Sequence, residues 1–286
     1  MKVTPLPEVE PRAGGRRVAV GMFDGVHVGH RKVIAGSDTV LTFDPHPVSV
    51  VAPQAAPKLL TTLERRAQLM ESLGVEELVV IPFDREFASR SAQSFIDDVL
   101  VGGLGATHVA VGENFRFGRH ASGDVGTLAS LGFDVRVVPI VEGISSTRIR
   151  QLLTAGEVEG AARLLGRPPE VEGVVVLGDQ RGGTLGYPTA NLDVPADVLV
   201  PAYGIYAGAA LGHRAAISIG VNPHYGGTER RIEPYLLEYE GDLYGRRLVV
   251  ELWERLRDER AFPSEEALVE QIARDVEQTR AAGRPS

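Results

Sequence analysis

The pattern of apolar residues changes once along this chain, at residues 166–170, and that change restricts the fold most. From residue 16 to about 140, short β-like runs alternate with helical segments, which is typical of a parallel sheet covered by helices. After Gly166-Arg167-Pro168-Pro169-Glu170, β-like runs follow one another with glycines between them, which favours an antiparallel barrel. We therefore predict an α/β domain at residues 1–167 and an all-β domain at residues 168–286.

The predicted elements follow the same division. Strands are expected at 17–21, 39–43, 77–82, 107–112 and 134–139, then at 171–177, 204–211, 214–220, 232–239 and 246–253. Thr61-x-x-Glu64 has the spacing of a capping box, and residues 94–100 favour a short helix. Ser264, followed by two glutamates, predicts a final helix. We expect its apolar stripe to pack on the barrel.

Composition excludes several classes of protein. No apolar run approaches the roughly 18 residues of a membrane helix, and the absence of cysteine excludes a disulfide framework. The formal net charge of −8 argues against general nucleic-acid binding. We expect a cytoplasmic protein that binds neither membrane nor nucleic acid, as a monomer or a weak homo-oligomer.

The first candidate site follows the first predicted strand. Residues 18–20 are apolar, and Gly25, His27, Gly29 and His30 follow within the next ten residues. If a helix begins near His30, its first amides are donors at the positive end of a dipole, and glycines let a polyphosphate approach the backbone. Imidazoles can donate to phosphate oxygens. Two alternatives stay open, namely histidines with a purely structural role and zinc ligands.

A second candidate phosphate contact lies at residues 145–150. Ser145, Ser146 or Thr147 is expected to cap a helix that begins with Arg148-Ile149-Arg150. Capping alone would explain the hydroxyl residues. However, two arginines in a first turn oppose the helix dipole, so a bound anion would offset them.

The second half has weaker local signals. No Walker loop or protein-kinase signature is present, and the segment Gly178 to Gly183 could be an ordinary loop. Pro188-Thr189-Ala190-Asn191 could be a turn that begins with proline. Glu233 lies in a β-like run, where a lone glutamate normally faces solvent.

Taken together, several motifs resemble one family. They are Gly-Met-Phe-Asp-Gly-Val-His-Val-Gly-His at 21–30, Thr-Phe-Asp-Pro-His-Pro at 42–47, Gly-Glu-Asn-Phe-Arg-Phe-Gly at 112–118, Ile-Ser-Ser-Thr-Arg-Ile-Arg at 144–150, Pro-Thr-Ala-Asn at 188–191 and Glu-Gly-Asp-Leu-Tyr-Gly at 240–245. They are similar, in order, to motifs of the bacterial bifunctional riboflavin kinase/FAD synthetases. The resemblance extends from about residue 16 to about residue 280.

This resemblance implies a Rossmann-like α/β nucleotidyltransferase domain, then a riboflavin-kinase barrel with a C-terminal helix. The enzyme would convert riboflavin to FMN and FMN to FAD, with ATP as co-substrate and Mg²⁺ as cofactor. The implied catalytic residues are His27, His30 and Glu233, the last as general base. The implied ATP and phosphate contacts are Gly25, Gly29, Ser146, Thr147, Arg150, Gly178, Arg181, Thr189 and Asn191, with Thr189 and Asn191 also holding the metal. The implied flavin contacts are Asn114, Phe115 and Phe117, and the alternation of the two rings predicts that at least one is core.

The chain departs from the family pattern at three places. Only eleven residues separate His30 from Thr42, where family members have a longer helix. Gly143 stands where many have a basic residue, and His224 replaces a threonine. Two rival interpretations follow. One is a flavin-binding regulatory protein with a weakened activity, most simply the adenylyltransferase. The other is an adenylyltransferase for pantetheine phosphate or nicotinamide mononucleotide, joined to an unrelated barrel.

Overall fold

A computed structural model describes residues 1–130, 133–178, 185–221 and 230–285. The contacts between Cα atoms divide the chain into two compact units, Met1–Ile144 and Ser145–Ser286. In the described ranges, no helix is both long enough and apolar enough to cross a membrane.

The first unit contains a six-stranded sheet in which every neighbouring pair is parallel. Its strands are β1 (Lys2–Pro5), β2 (Arg16–Val20), β3 (Thr39–Asp44), β4 (Glu77–Pro82), β5 (Ala106–Gly112) and β6 (Asp134–Val138). Their order is β1-β4-β3-β2-β5-β6. The predicted α/β class is confirmed, and β1 is an addition that the sequence pattern did not predict.

The inner strands form the core of this unit. Val18, Val40, Leu41 and Val79 are each no more than 1% exposed, as expected of parallel strands covered on both faces. Strand β2 lies between β3 and β5, so the strand order reverses there. A crevice beyond the carboxyl ends of strands at such a reversal is the usual ligand site of open α/β sheets.

The helices of this unit are short. They are α1 (Val28–Ile34), α2 (Pro47–Val51), α3 (Leu63–Glu71), α4 (Arg85–Ala88), α5 (Ala92–Ser94), which continues as a π-helix over Phe95–Gly103, and α6 (Val125–Ala129). Three single 3₁₀ turns lie at Leu6–Glu8, Pro53–Ala55 and Arg119–Ala121.

The predicted capping box at Thr61 is wrong by one residue. Thr62 is the N-cap of α3, and its Oγ1 accepts a hydrogen bond from the Arg65 amide at 3.1 Å. The Thr61 side chain is buried because its hydroxyl bonds to Asp24 and to the Gly25 amide, in the loop that precedes α1. Both threonines are buried, and they differ in their hydrogen bonds, since Thr62 caps α3 and the Thr61 hydroxyl bonds to Asp24 and Gly25.

The second unit contains a six-stranded antiparallel sheet. Its strands are β7 (Glu170–Val176), β8 (Asn191–Asp193), β9 (Gly204–Ala210), β10 (His213–Val221), β11 (Arg230–Leu236) and β12 (Arg247–Arg257), in the order β11-β10-β9-β12-β7-β8. The Ala190 amide donates to the Pro234 carbonyl at 3.0 Å. That bond joins β11 to the residue directly before β8, and the two edge strands of the sheet contact each other, as in a barrel.

Among the described residues of the second unit, three helices occur: α7 (Ser146–Ala155), α8 (Val158–Leu165) and α9 (Glu265–Ala281). Ser264 caps α9 as predicted, since its Oγ accepts from the Ala267 amide at 3.2 Å. Helix α8 contacts β12, and the Ala202 amide donates to the Leu153 carbonyl of α7 at 3.0 Å. By contacts, therefore, α7 and α8 group with the barrel, ahead of the predicted boundary at residue 167.

Candidate active sites

The loop between β2 and α1 is sharply bent. Phe23, Gly25 and Val26 have φ angles of 50°, 82° and 41°, in the left-handed region that glycine tolerates and a β-branched valine does not. The Val26 amide donates to the Phe23 carbonyl at 3.0 Å, which closes the turn. Such strain persists only where the surroundings hold the backbone in place.

A buried carboxylate supplies that restraint. Asp24 is 2% exposed, and it accepts from the Leu60 amide at 2.9 Å and the Thr61 amide at 3.1 Å. The Thr61 hydroxyl donates to Asp24 at 3.3 Å and accepts from the Gly25 amide at 3.1 Å. Asp24 and Thr61 therefore fix the glycine loop to the segment before α3. This role was not predicted from the sequence, although Asp24 lies within the motif at residues 21–30.

His27 is both the N-cap of α1 and a neighbour of His30. Its Nδ1 accepts a hydrogen bond from the His30 amide at 3.2 Å, and the two rings stack with centroids 3.5 Å apart. An accepting Nδ1 leaves Nε2 as the protonated nitrogen of a neutral ring. His27 can thus donate through Nε2. One of the amides expected to face a phosphate, that of His30, is already occupied.

Gly29 is needed where it stands. A Cβ at this position would lie 3.1 Å from Cε1 and 3.2 Å from Nδ1 of His27, closer than the ordinary contact of 3.4 Å. The glycine between the histidines therefore lets the His27 ring lie against the helix backbone.

A cavity of about 890 Å³ opens at this end of the sheet. Four predicted site residues line it together, namely His30, Asn114, Phe115 and Phe117. Its volume lies in the range of ligand pockets, roughly 300–1,000 Å³. The structure thus brings the histidine motif and the predicted flavin contacts into one cavity.

The two phenylalanines have different roles. Phe117 is 6% exposed and belongs to the core, which confirms that at least one ring is structural. Phe115 is half-buried, and its ring stacks on that of Phe117 with centroids 5.5 Å apart. Both rings line the cavity, and Phe115 is the more exposed of the two.

Other residues of the cavity were not predicted. Further aromatic side chains line it, namely Phe23, Phe43, Phe83, Phe87 and Phe95, and so do the arginines Arg90, Arg116 and Arg119. An apolar cavity with basic groups suits a flat aromatic ligand that carries negative charge. The rings come from distant strands and helices, so no local spacing signals them.

The predicted phosphate contacts on α7 belong to the second unit. Ser145 is the N-cap, and its Oγ accepts from the Arg148 amide at 3.1 Å. Thr147 is exposed, while Ser146 and Arg150 are half-buried. One of the three hydroxyl residues was expected to cap, and it is Ser145, so the Ser146 and Thr147 hydroxyls are not used as caps.

The second unit brings Gly178 and Asn191 together. A Cβ on Gly178 would overlap the Asn191 side-chain nitrogen and lie 2.7 Å from its Oδ1. Asn191 begins β8, opposite Val176 of β7. Gly178 is therefore a glycine because the Asn191 amide packs on its Cα.

Glu233 lies beside this segment. The bond between the Ala190 amide and the Pro234 carbonyl sets residues 189–191 against β11, and the Tyr187 and Tyr235 rings meet edge to face at 5.4 Å. Thr189 and Asn191 are half-buried. The Glu233 side chain is 33% exposed, with Arg231 Nη1 at 4.0 Å from its Oε1. The Asn191 amide on β8, the Thr189 hydroxyl on the segment that leads into β8, and the Glu233 carboxylate on β11 thus occur on neighbouring parts of the chain.

Two residues discussed above, Arg181 and His224, lie outside the described residues. Within the part of the chain that is described, no three His, Cys, Asp or Glu side chains cluster as they would around a metal ion.

Comparisons with known proteins agree with both halves of this geometry. Residues 10–150 match the family model of FAD synthetase, and residues 165–282 match that of riboflavin kinase. The bifunctional riboflavin kinase/FMN adenylyltransferase of Listeria monocytogenes is 37% identical, over 92% of this chain and 91% of that protein. The chain belongs to this bifunctional family. Proteins of the same name from Escherichia coli and Bacillus subtilis are 37% and 35% identical, over 90% and 91% of this chain.

A solved structure also covers the whole chain. It is titled a macrolide-efflux protein from Streptococcus pneumoniae, and it is 32% identical with a TM-score of 0.85, over 98% of this chain and 99% of that one. The bifunctional relatives match the nucleotidyltransferase half and the barrel as one sequence. An adenylyltransferase joined to an unrelated barrel is therefore the wrong interpretation.

Proposed function

We propose that this chain phosphorylates riboflavin to FMN and then adenylylates FMN to FAD, using one ATP in each step and releasing pyrophosphate in the second. The observation that supports this most is that His30, Asn114 and Phe115 line one cavity together. Family membership supports both activities. The proposed contacts are the residues of this chain that stand in the motifs similar to those of the family.

In adenylylation, the phosphate of FMN attacks the α-phosphorus of ATP and the bond to pyrophosphate breaks. The nucleophile is already an anion, so positioning and neutralisation of charge account for the catalysis. We propose that the Nε2–H of His27 and the imidazole of His30 donate to phosphate oxygens as charge develops. Gly25 and Gly29 let phosphate approach the backbone, and Ser146, Thr147 and Arg150 contact ATP phosphates.

The flavin of FMN would occupy the aromatic cavity. Phe115 offers a ring face, Phe117 supports that ring from the core, and Asn114 offers an amide to polar edges. The apolar walls favour the isoalloxazine ring through burial. The three arginines of the cavity suit the phosphate that distinguishes FMN from riboflavin.

In the kinase reaction, Glu233 is proposed as the general base. It takes the proton of the riboflavin 5′-hydroxyl as that oxygen bonds to the γ-phosphorus of ATP and ADP leaves. A carboxylate that is one-third exposed beside residues 189–191 is suited to this role. Gly178 and Arg181 are proposed contacts of the nucleotide phosphates.

Mg²⁺ is part of the proposal for the second unit. The Thr189 hydroxyl and the Asn191 amide oxygen would hold the ion, because a hard cation prefers oxygen ligands. The close approach of Gly178 to the Asn191 amide holds that side chain in place. When bound, Mg²⁺ would neutralise charge on the phosphates of ATP.

Further parts of the proposal concern the chain as a whole. The matches to the two family models end at residue 150 and begin at residue 165, which supports a functional boundary near residue 167. We also propose a cytoplasmic protein, monomeric or weakly associated, that binds neither nucleic acid nor membrane.

The test is a reaction of purified protein with riboflavin, ATP and MgCl₂, with the flavins separated by chromatography. We expect FMN first and FAD later, and no product in the presence of EDTA. Flavin binding without turnover would instead support the regulatory alternative.

Two variants separate the activities. Glu233→Gln should lower riboflavin phosphorylation by about 10²–10⁴-fold, as for a lost general base, while added FMN is still converted to FAD. His27→Ala combined with His30→Ala should do the reverse. Loss of both activities from a folded single-site variant would contradict two independent sites.

A further inference from the structure

Helix α1, which bears the histidine motif, is unusually short. It spans seven residues, Val28–Ile34, and β3 begins at Thr39, so only four residues connect the helix to the strand. In any α-helix the last four carbonyls lack partners within the helix. Here these are the carbonyls of residues 31–34, more than half of the helix.

Two of these four carbonyls are satisfied locally. The Ala35 amide donates to the Arg31 carbonyl at 2.9 Å, and the Ser37 amide donates to the Ile34 carbonyl at 2.9 Å. The chain then leaves the helix, so the carbonyls of residues 32 and 33 need partners from elsewhere in the sequence.

Arg136 of β6 provides those partners. Its Nη1 donates to the Lys32 carbonyl at 3.0 Å, and its Nη2 donates to the Val33 carbonyl at 2.7 Å and to the Ala35 carbonyl at 2.6 Å. All four terminal carbonyls are thereby bonded. The guanidinium also places a positive charge at the negative end of the helix dipole, which is favourable.

This contact bears on the histidines at the other end of the same helix. A helix of seven residues is only about 10 Å long, at about 1.5 Å per residue. Val33 and Ile34 pack into the core, and Arg136 is held in β6 opposite Ala110 of β5. Movement at the carboxyl end would therefore change the position of His27 and His30.

We propose that Arg136 is a positioning residue for adenylyl transfer, which caps α1 in place of the helical turns that this short crossover lacks. The proposal rests on the proposed FMN adenylyltransferase activity. Through α1, Arg136 holds His27 and His30 where they act, although it contacts neither ring.

The test uses Arg136→Met in the full chain, which keeps the length of the side chain and removes its donors. We expect kcat for conversion of FMN to FAD to fall about tenfold, because misplacement near 1 Å costs up to about 10²-fold and the helix keeps its buried contacts. KM for FMN should change little, because the aromatic cavity is intact. Riboflavin phosphorylation by the same sample should equal that of the wild type.

Control variants distinguish loss of the hydrogen bonds to the helix carbonyls from loss of positive charge and from loss of folded protein. Lys32→Met removes one positive charge from the same helix end and leaves the bonds from Arg136 to the helix carbonyls in place, so it should leave kcat within about twofold. Arg136→Ala should be rescued in part by low-millimolar guanidinium chloride and not by sodium chloride at equal concentration. Wild-type kcat in Arg136→Met would refute the positioning role, as would a loss explained by the unfolded fraction in a urea titration. If the wild type itself forms no FAD, it is the proposed function that fails.

Discussion

Replacement of Gly178 by alanine tests the kinase site through one added methyl group. The new Cβ would overlap the Asn191 amide nitrogen and lie 2.7 Å from Oδ1, against an ordinary contact of 3.4 Å. The amide must therefore move by about 0.7 Å or more. The φ angle of Gly178 is outside the left-handed region, so the substitution tests space rather than backbone conformation.

We expect Gly178→Ala to lower kcat/KM for riboflavin phosphorylation by about 10²-fold, the cost of misplacing a catalytic group by about 1 Å. Conversion of added FMN to FAD should be unchanged in the same preparation. Gly283→Ala is the matched control, because no atom lies within 4 Å of the added Cβ and the φ angle is not left-handed. The assay is flavin chromatography at several riboflavin and ATP concentrations.

A double-mutant comparison decides whether Gly178 acts through Asn191. If it does, Gly178→Ala should add little to the defect of Asn191→Ala, because the side chain that the methyl group displaces is already gone. Multiplicative defects would refute this reasoning, and so would full activity of Gly178→Ala alone.

Three other predictions follow from local geometry. Gly29→Ala should lower FAD formation only a few-fold, because the His27 ring must move by only a few tenths of an ångström, whereas Gly29→Val should lower it much further, with riboflavin phosphorylation as the internal control. Thr61→Val removes the hydroxyl that accepts from the Gly25 amide and donates to Asp24, and it should cost about 1–3 kcal/mol of unfolding free energy, measured by urea titration, while Thr61→Ser should be close to wild type. Hydrogen bonds from Thr127 lower the pKa of Asp124, so its stabilisation is present above the ordinary aspartate pKa and is lost as pH falls through the folded-state pKa. Asp124→Ala should therefore be less stable than wild type at pH 7, and the difference should shrink below about pH 4; a constant difference would contradict the assignment.

Strong periodic signals in the sequence predicted most of both sheets. The five predicted strands of the first half agree with β2 to β6 within one residue at each end, because buried parallel strands are continuous apolar runs. Strands β1 and β8 were not predicted. They span four and three residues, too few for a periodic pattern, and their pairing with distant strands decides their conformation.

The grouping of α7 and α8 with the barrel is a second result that local sequence does not supply. The prolines after Gly166 end a helix, and a helix end resembles a domain boundary. Helix α8 buries Val158, Ala161, Ala162 and Leu165 and contacts β12. An amphipathic stripe shows that a helix packs on something, but not on which part of the chain.

Glycines show where prediction from sequence stops. Gly29 lies two residues from His27, whose ring occupies the space that a Cβ on residue 29 would need. Both residues of this contact therefore stand in one short sequence motif. Gly178 lies thirteen residues before Asn191, and only the pairing of β7 with β8 brings them together. From sequence, the glycine-rich segment that begins at Gly178 could as easily be an ordinary loop. In the fold, the Asn191 amide, a proposed metal ligand, packs on the Cα of Gly178. Gly178 is therefore a specific and testable part of the proposed site.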